Sequence, residues 1–314
     1  MPRKVLRTKP TYGCRPGRHV LLFKFLFLDY LKNKHKMKNL IILLIGILAA
    51  VSACNNDDIS PGNDPNFAIL ANTDPEYEAF NVFNRKVVVF GIPIYAVSGV
   101  EDTKLLHAAN VLAQYLDNDE DGNVDNQDIL SAMNNNNAYM VMWENESDLS
   151  DVIPPDEDEA KGQDLGNDET NPDFVTNGRI GEFDASLEEV LHIITYAGYA
   201  TAYPSVFGLA PGTSLTDAMD IARGGHFTAI PDPYPENSWY TYDDETCEYS
   251  CMANEYIYWA ITSILGAQEN RSISHEWDLN TKTLVQNTDI AIYSLLTDPQ
   301  YKFPTVLPDG TYKQ

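Results

Sequence analysis

One stretch of the sequence carries oxygen-bearing side chains at spacings suited to binding a cation. Residues 117–128 read D-N-D-E-D-G-N-V-D-N-Q-D, with Gly122 where a tight loop must turn sharply. Calcium takes six to eight oxygen ligands at about 2.3–2.6 Å, and carboxylates that alternate along a loop supply them. The pattern therefore predicts a calcium site. Its expected ligands are the carboxylates of Asp117, Asp119, Asp121, Asp125 and Asp128 and the backbone carbonyl of Asn123.

This loop resembles the EF-hand, and more closely the calcium loop of bacterial dockerins, which also ends in Asp. The resemblance covers residues 103–135, including a helix predicted on each side of the loop. Asp128 stands where most EF-hands have Glu, and no second copy of the loop follows, as it would in a dockerin. The resemblance implies a structural calcium site, without a dockerin's cohesin-binding role. The alternative is an acidic turn that holds no ion.

A second pattern, S-L-E-E-V-L-H at residues 186–192, combines carboxylates with a histidine. If this segment is helical, Glu188, Glu189 and His192 share one face, since residues three and four apart are neighbours. A Glu-x-x-His pair on a helix is able to ligate a transition metal. The segment is similar to the H-E-x-x-H motif of zincin-type metalloproteases, with Glu188 replacing the first His. Glu255, in an Asn-Glu pair, resembles the residue that brings a third ligand in gluzincins.

The zincin resemblance implies a metal site, either zinc or a harder ion, with Glu188, His192 and Glu255 as ligands. Glu189 would then be the catalytic general base of a hydrolase or peptidase. The structural alternative is that Ser186 and Glu189 form a helix-capping box and that His192 is an ordinary half-buried residue. Three further histidines are candidate ligands that no motif singles out: His107, His226 and His275.

The N-terminal region has the features of an export signal. An uninterrupted apolar run at residues 40–53 follows Lys36 and Lys38 and precedes Cys54. This run is too short to span a membrane and is typical of a signal peptide. The residues V-S-A-C at 51–54 resemble a bacterial lipobox, which implies cleavage before Cys54 and a lipid on its sulfur. Met37 is the expected true start, and a plain secretory signal with a chance Cys is the alternative.

The charge of the chain limits its partners. The sequence has 21 Lys and Arg against 46 Asp and Glu, a net charge of −25. Residues 1–53 hold 11 of the basic residues and one acid, so the remainder carries 10 basic and 45 acidic residues, a net charge of −35. Such a surface excludes duplex nucleic acid as a partner and favours bound cations. The expected location is the bacterial outer membrane, on its periplasmic or outer face, through the lipid at Cys54.

Hydrophobic residues make up 44% of the chain, which excludes global disorder. Residues 54–66 are a polar tether, and residues 67–314 are predicted to form one α+β domain. This domain is helix-dominated, with a small β-sheet and an EF-hand-like helix-loop-helix. Strands are predicted at 86–97, broken at Gly-Ile-Pro, and at 138–143, and residues 144–178 are predicted to be a loop. Helices are predicted at 104–116, 126–133, 187–199, 214–223, 250–266 and 281–296.

Two further features leave alternatives open. Cys247 and Cys251 are predicted to form a disulfide in an oxidising compartment, with a metal site as the alternative. The aromatic residues of segment 234–259 are either core or an exposed sugar-binding platform. They are Tyr234, Trp239, Tyr240, Tyr242, Tyr249, Tyr256, Tyr258 and Trp259. Three hypotheses result: a calcium-binding lipoprotein without assigned activity, a metal-dependent hydrolase, and a glycan-binding lipoprotein. The protein or glycan partner is not predicted.

Overall fold

The computed structural model describes residues 67–73, 75–145 and 154–313. The predicted signal peptide, the lipidation site Cys54 and the tether at 54–66 lie outside these ranges. No helix in the described part of the chain has the length and apolarity needed to cross a bilayer.

A mixed five-stranded sheet forms one layer of the domain. Neighbouring strands in the order β1 to β3 pair antiparallel, and β3, β4 and β5 pair parallel. Phe90 and Gly91 both have positive φ, 48° and 93°, as expected of a tight hairpin turn between β2 and β3. The break predicted within residues 86–97 is this turn. The strands are β1 Leu70–Ala71, β2 Arg85–Val89, β3 Ile92–Ala96, β4 Tyr139–Trp143 and β5 Gly162–Gly166.

Helices outnumber strands in the described residues, so the predicted helix-dominated α+β class is confirmed. A π-helical segment, Ile194–Tyr199, continues α4, and a short 3₁₀ helix spans Glu78–Val82. The helices are α1 Asp102–Leu116, α2 Gln127–Asn135, α3 Asp173–Thr176, α4 Ser186–Ile193, α5 Ala200–Ala202, α6 Pro204–Phe207, α7 Ser214–Ala222, α8 Tyr249–Leu265, α9 Lys282–Thr288 and α10 Ile290–Leu296.

The two faces of the sheet bury different sets of side chains. Along β4, Met140 and Met142 enter the main core, while Tyr139, Val141 and Trp143 join a separate cluster with Phe80 of the 3₁₀ helix. This alternation follows from the two-residue period of a strand. On the main-core side, α1 packs against α4 and β2, and α4 packs against α8 and β5. The sheet therefore supports α4, which carries the E-E-x-x-H pattern.

Two local predictions are wrong. The predicted loop 144–178 contains β5 and α3, because pairing with β4 makes a strand of a segment that has few β-forming residues. The predicted helix 281–296 is two helices. Its interruption has a local cause, since Asp289 caps α10 by accepting a hydrogen bond from the Ile292 amide at 3.2 Å.

Candidate metal centre

A buried carboxylate holds the start of α4 in place. Asp184 accepts hydrogen bonds from the Ser186 hydroxyl (2.7 Å) and from the Asn171 amide (3.0 Å), and its Oδ2 lies 2.7 Å from His107 Nε2. Burial opposes its ionisation, but these partners hold the pKa of Asp184 below its ordinary value. The Ser186 hydroxyl donates its hydrogen bond to Asp184, and no side-chain hydrogen bond caps the N-terminus of α4. The capping-box interpretation of Ser186 and Glu189 is therefore wrong.

The four residues of the zincin-like pattern lie together. Ligand atoms of Glu188, Glu189 and His192 all lie within 4.8 Å of one another. Glu255 reaches them from α8, with its Oε2 3.6 Å from His192 Nε2. On the other side of the ring, Glu189 Oε2 lies 3.4 Å from His192 Nδ1. The imidazole is thus placed between two carboxylates, with a third beside it.

His192 has an unusual buried atom. The residue is 5% exposed, and its Nε2 is buried without a hydrogen-bond partner among the described residues. The 3.6 Å separation from Glu255 is too long for a hydrogen bond, and buried polar atoms are normally paired. Histidine ligates metals through a neutral ring nitrogen, usually while a carboxylate or carbonyl fixes the other. The donor set around Nε2 therefore fits a metal ion.

The carboxyl groups of this cluster are under electrostatic strain. Burial, reinforced by the neighbouring Glu189, raises the pKa of Glu188 to about 7. Burial also raises the pKa of Glu255 to about 8, although His192 acts in the opposite direction. Buried carboxylates that repel one another hold protons unless a cation neutralises them. The cluster therefore holds either protons or a cation near neutral pH.

Two supporting side chains were not predicted from the sequence. Tyr258 hydrogen-bonds to Glu188, and its ring lies edge-on to the His192 ring with centroids 5.5 Å apart. Gln163 Nε2 donates to Glu189 Oε2 at 2.5 Å. Tyr258 had a usable signal, because it follows Glu255 by three residues on the same helix. Gln163 had none, because its strand was missed.

Asn254 ties α8 to the helical segment that carries His192. The Thr195 hydroxyl, one turn after His192, donates a hydrogen bond to the Asn254 side chain. The π-helical segment also begins directly after α4, and such irregular turns are frequent at functional sites. This contact fixes the distance between the two helices that carry His192 and Glu255.

The predicted calcium loop brings part of its ligand set together. Ligand atoms of Asp117, Asp119 and Asp121 lie within 4.8 Å of one another; Asp117 is buried, and the other two are exposed. Gly122 turns the loop with a φ of 87°, which is favourable only for glycine. The pKa of Asp119 is raised by desolvation and by the nearby carboxylates of Asp121 and Asp125. This is the charge repulsion that a bound cation would relieve.

The two other expected carboxylate ligands, Asp125 and Asp128, lie outside this group. Asp125 Oδ2 accepts a hydrogen bond from the Asn118 amide at 2.8 Å. Asp128 is an exposed residue in the first turn of α2. The Asn123 side chain donates to Asp121 Oδ1 at 3.0 Å.

The C-terminal segment 301–313 runs along the calcium loop. The Tyr312 hydroxyl donates to Asp117 Oδ2 at 2.5 Å, and the Lys313 amide donates to Glu120 Oε2 at 3.0 Å. Asn118 Oδ1 accepts from the amides of Thr305 and Val306 at 2.8 and 2.9 Å. The loop therefore fastens the end of the domain to α1.

The other described histidines lie apart from the candidate metal cluster of Glu188, Glu189, His192 and Glu255. His107 pairs with buried Asp184, and His226 Nδ1 lies 2.6 Å from Asp220 Oδ2 on the surface. His275 is exposed beside Glu276. They therefore have partners of their own, and the cluster is built from His192 alone and three carboxylates.

The aromatic stretch is mainly core, and the predicted disulfide is present. Five of its rings are buried and three are half-buried, so none of the eight is exposed. The sulfurs of Cys247 and Cys251 are bonded at the start of α8, which confirms the disulfide.

No protein-family model, curated protein or solved structure matches this chain. Its function is therefore inferred from the residues themselves.

Proposed function

We propose that this protein is an exported, lipid-anchored, metal-dependent hydrolase. The observation that carries the proposal is the buried, unpartnered Nε2 of His192, which faces the Glu255 carboxylate at 3.6 Å. Glu188 and Glu189 add two more carboxylates within 4.8 Å of the imidazole. A buried nitrogen and three buried or half-buried carboxyl groups are costly without a cation, and a cation would satisfy all of them.

In this proposal each residue of the cluster has one role. Glu188, His192 and Glu255 would hold the metal, and Tyr258 orients Glu188 through its hydrogen bond. A bound divalent metal ion supplies Lewis acidity at the bond to be hydrolysed. Glu189 would be the general base, which takes the proton of the attacking water and passes it to the leaving group of the cleaved bond. Gln163 holds the Glu189 carboxylate in place at 2.5 Å, which limits its rotation.

The donor set constrains the metal. One imidazole and two carboxylates suit zinc. These oxygen and nitrogen ligands also suit harder divalent ions such as Mn²⁺ or Fe²⁺, which thiolate ligands bind less well. Cys247 and Cys251 are bonded to each other and supply no ligand. We therefore propose zinc first and a harder transition metal as the alternative.

The calcium loop has a structural role in the same proposal. Calcium at Asp117, Asp119 and Asp121 would hold α1, α2 and the C-terminal segment together. The Tyr312 contact with Asp117 supports this, because the ion and the segment share one carboxylate. Calcium modules outside the cell bind with Kd values of about 10⁻⁴–10⁻³ M, which is sufficient where calcium is plentiful.

A calcium-binding surface lipoprotein without catalysis is the second candidate, and the three grouped aspartates favour it. We do not propose the glycan-binding alternative, because Tyr240 is fully buried and the indole of Trp239 donates to Asp289 at 2.8 Å. A stacking platform for sugars needs exposed ring faces. The strongly acidic composition continues to exclude duplex nucleic acid.

Metal content measured by mass spectrometry tests the proposal. The purified wild-type protein is compared with His192→Ala, with Asp121→Ala and with His226→Ala, a matched control at an exposed histidine. We expect one transition metal per chain, lost in His192→Ala only, and calcium that is lost in Asp121→Ala only. If the wild type contains calcium but no transition metal, even after loading, the hydrolase proposal is wrong and the calcium-binding lipoprotein without catalysis is favoured. Thermal melting of each variant identifies any that fail to fold.

A further inference from the structure

Arg271 is a half-buried cation held beside the metal-binding cluster. Its guanidinium carbon lies 3.9 Å from the ring centroid of Phe183 and 5.8 Å from that of Trp259. These aromatic faces provide cation–π attraction and a surface of low polarity. Trp259 in turn packs against Tyr258 in a tilted arrangement, with ring centroids 4.7 Å apart. Arg271 and the cluster therefore share one aromatic wall.

A chain of hydrogen bonds connects Arg271 to Glu188. Arg271 Nη1 donates to Gln268 Oε1 at 2.7 Å, and Gln268 Nε2 donates to the Tyr258 hydroxyl at 3.2 Å. Tyr258 bonds to Glu188. Gln268 is fully buried and also donates to Thr262 Oγ1 at 2.9 Å, so its amide cannot turn freely. The guanidinium is thereby positioned relative to the proposed metal ligand.

Arg271 lacks a carboxylate partner. Within the described ranges, no Asp or Glu oxygen lies within 4.0 Å of its guanidinium, although the chain is strongly acidic. Nearby Arg179, by contrast, pairs with Glu269 at 3.5 Å. A guanidinium has five N–H donors, and one hydrogen bond to Gln268 leaves most of them unused in the described structure. A planar fork of this kind matches a carboxylate.

We propose that Arg271 binds a carboxylate of the substrate next to the metal centre, so that the hydrolase prefers substrates with a carboxylate close to the cleaved bond. The inference rests on the proposed function, and it names the substrate class of the same site. The aromatic faces of Phe183 and Trp259 lower the local polarity and strengthen such a charged hydrogen bond. The acidic surface elsewhere would repel anionic substrates, so the anchor must lie at the site itself.

Two small probes test this inference on the purified, zinc-loaded protein. Succinic monohydroxamic acid carries a metal-binding hydroxamate and a free carboxylate, and the matched compound carries a carboxamide in its place. We expect the carboxylate probe to bind the wild type about 10- to 100-fold more tightly by isothermal titration calorimetry. The ratio should fall to about one in Arg271→Gln and persist in Arg179→Gln, the control. Arg271→Lys, which keeps the charge but loses the fork, should give an intermediate ratio.

The outcomes separate this inference from the proposed function. Equal binding of both probes to the wild type, or an unchanged ratio in Arg271→Gln, would overturn the role of Arg271 and leave the metal centre standing. Failure of both probes to bind the zinc-loaded wild type would overturn the metal-dependent hydrolase itself. Zinc content and melting temperature of Arg271→Gln show whether that variant retains the site, and Arg271→Lys provides the second test if it does not.

Discussion

The molecule contains two acidic clusters that differ in how they are assembled. The predicted calcium loop draws Asp117, Asp119 and Asp121 from five consecutive residues, and two of them are exposed. The candidate metal cluster joins α4 to Glu255 on α8, 63 positions after His192, and its groups are buried or half-buried. Water stabilises exposed carboxylates, whereas buried ones hold protons or a cation. Similar side chains therefore lead to different chemistry.

The two clusters share supporting elements. Helix α1 carries His107, which contacts Asp184 just before α4, and ends beside Asp117 of the predicted calcium loop. Helix α2, which follows the loop, packs on the π-helical segment after α4. A Cβ at Gly198 in that segment would lie 2.7 Å from Ile129 of α2, so only glycine allows this approach. The two clusters therefore differ in chemistry, although the helices that carry them pack against one another.

The largest expected effect is loss of the transition metal in Glu255→Gln. This substitution keeps the size of the side chain but removes a proposed charged ligand. Removing outer-sphere partners of metals typically costs about 10–100-fold in affinity, so we expect a larger loss here. Competition with a chelator measures the zinc affinity. Glu276→Gln, at a half-buried carboxyl group outside the cluster, is the control, and equal affinities in the two variants would contradict the ligand assignment.

The next largest effect is a pH-dependent loss of stability in the metal-free protein. Burial raises the pKa of Glu188 to about 7 and the pKa of Glu255 to about 8. Because the unfolded chain releases these protons at about pH 4.3, the folded state is progressively destabilised as the pH rises from about 4.5 to about 8. We expect the free energy of unfolding to fall by on the order of a few kcal/mol across this window. The melting temperature should fall with it.

Two controls sharpen the pH experiment. The double variant Glu188→Gln/Glu255→Gln should show a flatter profile, because neither side chain titrates. Zinc should also flatten the profile of the wild type, since the metal replaces the protons. A metal-free wild type whose melting temperature rises between pH 5 and pH 8 would show that these carboxyl groups do not govern its stability.

A smaller effect is expected at the calcium loop. With a Kd of about 10⁻⁴–10⁻³ M, 10 mM calcium should stabilise the wild type by about 1–3 kcal/mol. This corresponds to a rise of several degrees in melting temperature for a domain of this size. Asp121→Ala should abolish the rise, and Asp278→Ala, at an exposed aspartate far along the chain, should retain it. An identical calcium response in both variants would argue against a site at Asp121.

The smallest effect is expected from Tyr312→Phe. The substitution removes the hydrogen bond to Asp117 and should cost about 1 kcal/mol. Chemical denaturation measures this cost, and zinc content should not change, because the metal-binding cluster does not include Tyr312. Loss of zinc in this variant would mean that the two clusters are coupled more strongly than their separate ligands indicate.

Local sequence patterns predicted much of the fold. Apolar spacing placed α1 and α2 to within a few residues, and Asp, Gly and Asn at fixed offsets placed the loop between them. The disulfide followed from two cysteines four residues apart in a chain that is predicted to be exported. The face shared by Glu188, Glu189 and His192 followed from helical periodicity. In each case the interacting residues are close in sequence, so the backbone geometry of one element is sufficient.

Only the tertiary structure decided the rest. The contact of Glu255 with His192, the support from Gln163 and Tyr258, and the position of Arg271 join segments that are far apart in the chain. Strand β5 exists because β4 pairs with it, and one oxygen of Asp125 accepts a hydrogen bond from the Asn118 amide. Packing determines which side chains are buried together, and burial shifts their pKa values. Spacing along the sequence does not predict which side chains are buried together or how their pKa values shift, because burial and pKa shifts depend on residues from other elements.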